Sequence, residues 1–91
     1  MDCDVVNITH GLEYDLKILR PSKWGNPYVI GKDGDRDEVI AKYRRWLKCQ
    51  PHLLRALPEL DGLTLGCVCK PLPCHGDVLK EILSQIPSSI D

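Results

Sequence analysis

The chain has 91 residues, 43% apolar and 27% charged, a balance expected of a globular domain and not of a disordered one. Its length suits one domain over 1–91 and leaves no room for a second core. A net charge of -1 and a pI near 6.3 argue against a duplex-coating protein, which needs a basic face, and no apolar run approaches the ~20 residues of a membrane span.

The opening MDCDVVNI has neither a basic n-region nor an apolar h-region, which predicts a cytoplasmic protein. In that setting the five cysteines are read as packed, reactive or metal-bound thiols rather than structural disulfides. Val5, Val6, Ile8 and Thr9 form a β-branched run that ends at His10 and Gly11, a first strand. Leu16 to Leu19 is predicted as a second. In the RPSKWGNP stretch that follows, Pro21, Gly25 and Pro27 forbid both helix and regular strand, so it must be a shaped loop.

After the polar turn GKDGD, Asp35 with Glu38 three residues on makes a capping box, and Val39, Ile40, Tyr43, Trp46 and Leu47 share one helical face. The helix is predicted over 36–49, with Arg44, Arg45 and Lys48 placed to complement the dipole at its end. Pro51 suits the first position of a shorter helix carrying Leu53, Leu54 and Leu57. Asp61 and Gly62 make a turn. Leu63, Leu65, Cys67 and Cys69 then alternate with Thr64, Gly66 and Val68, which predicts a strand with both cysteines on one face. KPLPCHG breaks that strand, and Val78, Leu79, Ile82, Leu83 and Ile86 mark a final amphipathic helix stopped by Pro87, with 88–91 a frayed tail. Phe is absent, so the core must come from Leu, Ile and Val, with one of the two tryptophans expected inside.

The order β-β-α-α-β-α predicts a small α/β fold: a mixed or parallel sheet of about three strands covered by three helices. Ligands of such sheets bind at the carboxyl ends of the strands, and both chemically rich loops leave strands there.

The first of these loops carries Arg20, Ser22, Lys23, Trp24 and Asn26, with Tyr28 at its end. Arg20 and Lys23 supply charge-assisted donors for phosphate, Trp24 a face for stacking a base, and Asn26 a paired donor and acceptor. The bland alternative is a loop anchored by Trp24 in the core with its charges solvated. The second segment places Cys67, Cys69, Cys74 and His75 in a C-x-C-x4-C-H pattern, a ligand set tetrahedral zinc accepts, although the site would have to close within one turn. Alternatively, Cys74 and His75 open the last helix, where free N–H groups make an anion site, lower a thiol pKa and let a neighbouring His trade protons. Asp77 would then serve as a dipole partner or meet a ribose or base edge. A third possibility is that the cysteines are simply small apolar core residues.

The blocks RPSKWGNPYVIG, EVIAKYRRWL, PELDGLTLGC and C-x-PLPCHGDVL together resemble a small bacterial and phage family known as domain of unknown function 4326. The resemblance covers nearly the whole chain. Where that family usually has an aromatic between the first two cysteines, this chain has Val68. The family implies no activity, though a phage setting favours nucleotide metabolism or interference with host nucleotide signalling. Cys67, Cys74 and His75 also resemble a second α/β family with a Cys-His-Arg helix start, here with Gly76 for the Arg, which implies a Cys-His corner that needs no metal.

The leading expectation is a nucleotide-like small-molecule site in which Arg20, Ser22, Lys23, Trp24 and Asn26 bind while Cys74, His75 and Asp77 act on the ligand or hold it. The alternative is a non-enzymatic interaction module holding zinc through Cys67, Cys69, Cys74 and His75. A plain protein-binding adaptor is the third. The small size is compatible with a homodimer.

Overall fold

The computed structural model describes residues 1–86, so Pro87 and the predicted tail lie outside the described residues. Three strands, β1 (Asp4–Asn7), β2 (Leu16–Lys17) and β3 (Thr64–Cys67), form one sheet in the order β1-β3-β2. Both pairings are parallel, with Val5 and Leu16 each opposite Leu65, so all three carboxyl ends emerge at one edge. Three helices follow the predicted order: α1 (Arg36–Lys48), α2 (Pro51–Ala56) and α3 (His75–Ser84). The predicted α/β class, strand number and helix number all hold.

The strands are shorter than their hydrophobic runs. β1 stops at Asn7 instead of running through Thr9, because Asn7 Oδ1 accepts hydrogen bonds from the Thr9 N–H at 2.8 Å and hydroxyl at 2.6 Å. That side-chain turn diverts the backbone into a single 3-10 turn over Ile8–His10. β3 ends at Cys67, so the alternation does not carry Cys69 onto the same strand face. Cys67 is fully buried and Cys69 is half-buried in the turn beyond, where its carbonyl accepts from the Leu72 N–H.

Each face of the sheet has its own cover. Leu65 and Cys67 join Ile18 and the inward residues of the helices in one core: Tyr43 and Leu47 from α1, Leu53 from α2, and Val78, Leu79 and Leu83 from α3. Gly66 faces the other way. A Cβ there would come within 2.6 Å of Ile8 Cγ2 and 3.1 Å of the Tyr14 ring, so glycine is what lets the β1–β2 connection lie flat across the central strand.

The capping box of α1 forms as the spacing implies: Asp35 Oδ1 accepts from the Glu38 N–H at 2.8 Å and Glu38 Oε1 from the Asp35 N–H at 3.0 Å. Val39, Tyr43 and Leu47 are its buried stripe, with Ile40 and Trp46 partly buried against the core. Arg44 reaches across to Glu81 of α3 at 2.9 Å, while Arg45 and Lys48 stay in the last turn. No helix among the described residues is long and apolar enough to cross a membrane.

Candidate functional site

The loop after β2 is held by its own side chains. Gly25 packs against the Arg20 backbone, where a Cβ would lie 2.9 Å from the Arg20 nitrogen, and the Arg20 guanidinium donates to the Asn26 carbonyl at 3.2 Å. Ser22 Oγ accepts from the Trp24 N–H at 3.2 Å, and the Tyr43 hydroxyl donates to the Trp24 carbonyl at 2.8 Å. Asn26 fastens the loop to α1: its Nδ2 donates to the Val39 carbonyl at 3.3 Å and its Oδ1 accepts from the Tyr28 N–H at 2.9 Å. Trp24 is the anchor of this arrangement. At 1% exposure its ring lies inside the core and offers no face to a ligand, so the stacking role expected of it is corrected to a packing one. Lys23 pairs with Glu59 at 3.4 Å on the surface, away from the cleft that Arg20 and Asn26 line.

The corner after β3 is held from three sides. Asn7 Nδ2 donates to the Lys70 carbonyl at 2.7 Å, the Arg36 guanidinium to the Pro73 carbonyl at 3.0 Å, and Lys70 forms an ion pair with Asp77. The other Asp77 oxygen accepts from the Cys74 N–H at 3.0 Å, completing a capping box at the start of α3. The helix terminus therefore already holds a carboxylate, and the expected external anion site there is corrected. Asp77 is held by Lys70 and the Cys74 N–H.

Cys74 also departs from expectation. It is 2% exposed, and burial first, then the neighbouring Cys67, push its thiol up to about 12, the opposite of an activated nucleophile. Helix-start position alone does not expose a side chain, because the N-cap here turns inward onto Cys67. His75, 8% exposed, hydrogen-bonds through Nε2 to the Ile18 carbonyl at 2.7 Å and meets the Tyr43 ring edge-on at 5.1 Å between centroids. Its pKa is lowered, chiefly by burial and further by Arg20; the Ile18 hydrogen bond opposes this and is outweighed. The zinc set expected of Cys67, Cys69, Cys74 and His75 is not assembled. Among the described residues no group of three or more His, Cys, Asp or Glu side chains could hold a metal ion.

What the two segments do build is a cleft of about 380 Å³ at the carboxyl edge of the sheet. Leu19, Arg20, Asn26 and Tyr28 line it from the first loop, and Val68, Cys69, Pro73, Cys74 and His75 from the corner. The residues between Tyr28 and α1 add Val29 and Ile30, and α1 adds Arg36, Val39 and Ile40. The walls are mainly apolar. Two guanidiniums and one imidazole line it with no carboxylate, and neither Arg20 nor Arg36 forms an ion pair with any described residue. Each arginine gives one described hydrogen bond to a backbone carbonyl, which leaves N–H donors of the fork free.

The family model "Domain of unknown function (DUF4326)" matches residues 6–85, a span that contains both loops and all three helices. The chain belongs to this family. Within it, the chain is 37% identical over 89 aligned positions to a protein of Enterobacteria phage T4 described as "Uncharacterized 12.4 kDa protein in nrdA-td intergenic region", covering 92% of this chain and 80% of the relative. No solved structure matches the chain. For this member of the DUF4326 family, the sequence put Arg20, Ser22, Lys23, Trp24, Asn26, Cys74, His75 and Asp77 at a common site; of these Arg20, Asn26, Cys74 and His75 line the cleft, Cys69 joins them from the expected zinc set, and Arg36 was missed. One signal pointed to it: a cation at the first position of a helix opposes the dipole and calls for another reason to be there. Asn7, the buried clamp between β1 and the corner, was hidden inside an apparent strand.

Proposed function

We propose that the protein binds a small phosphate-bearing ligand, a nucleotide or nucleotide derivative, in the cleft between the Arg20–Tyr28 loop and the Cys67–Asp77 corner. The observation that carries this reading is the pair of arginines, Arg20 and Arg36, which line a mainly apolar cleft without an acidic partner among the described residues. Phosphate oxygens match the guanidinium fork, and the apolar walls suit a sugar and base. A position at the carboxyl ends of parallel strands, where open α/β sheets bind ligands, agrees with this. Binding is favoured over covalent chemistry because the Cys74 thiol is buried and its pKa is raised.

The test is isothermal titration of the full chain with inorganic phosphate and nucleoside monophosphates. Charge-assisted hydrogen bonds contribute roughly 1.5–3 kcal/mol, so Arg20→Ala and Arg36→Ala should each weaken binding about 10- to 100-fold. No binding by any of these probes, or binding indifferent to both substitutions, would sink the reading.

A further inference from the structure

His75 is a polar side chain, more than nine-tenths buried, that lines the cleft with only one ring nitrogen engaged by the protein. A backbone carbonyl can only accept, so Nε2, 2.7 Å from the Ile18 oxygen, carries the proton and donates. The ring is neutral at pH 7, since its pKa is lowered, and Nδ1 is then an acceptor. No described residue donates to that Nδ1, and it is not sealed off, for the fully buried side-chain polar atom without a partner among the described residues is Arg44 Nε. The Ile18 carbonyl and the edge of Tyr43 fix the ring plane, so the acceptor is in position before a ligand arrives.

Arg20 follows Ile18 by two residues in the chain and lines the same cleft as His75. A ligand whose anion rests on Arg20 therefore shares the cleft with Nδ1. In a phosphorylated sugar, the hydrogen-bond donors nearest the phosphate are the sugar hydroxyls. The N–H groups of a base lie a whole ribose farther from the phosphate.

We propose that His75 Nδ1 accepts a hydrogen bond from a sugar hydroxyl of the ligand and makes the cleft selective for ribosyl over deoxyribosyl phosphates. This rests on the cleft being the anion site put forward above. His75 is then a specificity-determining residue, and an analogue lacking the hydroxyl leaves a fixed acceptor unpaired.

The experiment is titration of the full chain with adenosine 5′-monophosphate, its 2′-deoxy and 3′-deoxy analogues, and ribose 5-phosphate. One of the two deoxy analogues should bind about 5- to 100-fold more weakly than the ribonucleotide, the loss expected when a buried group goes unsatisfied. His75→Phe, which keeps a ring against Tyr43, should bring that ratio to about one while phosphate binding persists. Should this variant fail to fold, the wild-type ratio still decides, because equal affinity for all three adenylates overturns the proposal. Arginine-dependent binding without discrimination removes only the assignment of His75. Absence of binding, or binding indifferent to Arg20→Ala and Arg36→Ala, removes the cleft reading and this inference together.

Discussion

Among the residues, the thiols show how far local position can mislead. Cys74 sits where helix N–H groups ordinarily stabilise a thiolate, yet desolvation inside the core outweighs that stabilisation and the proton stays on. Cys3 is pushed up as well, to about 11, again chiefly by burial. Cys49 is exposed and Cys69 half-buried. Labelling the native protein at neutral pH with a thiol reagent and mapping the adducts by mass should therefore find Cys49 first, Cys69 more slowly, and Cys3, Cys67 and Cys74 only after denaturation. Rapid modification of Cys74 in the folded protein would contradict the burial described here. Trp24 teaches the same lesson from the apolar side. Its place between Lys23 and Gly25 in a polar loop suggests a ligand-facing ring, but burying an indole stabilises by roughly 2–5 kcal/mol over leaving it wet, and the loop folds around that burial.

Secondary-structure elements were legible where a short-range rule decides them. The Asp35–Glu38 spacing, the apolar stripe and the basic last turn of α1 are all written within one helix, and the observed span Arg36–Lys48 differs from the predicted one by a single residue. Asp35→Ala removes the acceptor for the Glu38 N–H and should lower stability by about 1 kcal/mol in urea denaturation. An unchanged midpoint would mean that the capping box does not stabilise α1. Strand ends were less legible, because the β-branched run at Val5–Thr9 says nothing of Asn7 turning its amide to Lys70 on a loop 63 residues away. The same non-local logic places Asn26: it was read as a ligand-orienting group, and both ends of its amide are instead used by Val39 and Tyr28, which is how the loop keeps Arg20 at the cleft.

For the molecule as a whole, the decisive feature is that β3 runs between β1 and β2, bringing the two chemically rich loops to one edge of one sheet. This order requires the β1–β2 connection to cross the outer face of β3, and Gly66 is where it crosses. Gly66→Ala forces a methyl against Ile8 and Tyr14, so a destabilisation of about 1–3 kcal/mol is expected from overpacking, read by the same denaturation measurement. If Gly66→Ala is as stable as wild type, that connection yields freely and is no part of the packed layer.

The sequence by itself determined the α/β class, the order of the elements, the span of α1 and the two chemically rich segments, because each depends on periodicity, capping or turn chemistry acting over a few residues. It also carried the family resemblance. Tertiary structure alone decided which side chains within those segments face the cleft. Cys74 and Trp24 turned inward, Lys23 and Asp77 found protein partners, and Arg36 arrived from a helix the site had not included. The physical reason is that burial and pairing depend on what the rest of the chain brings to a position, and spacing along the chain does not encode that.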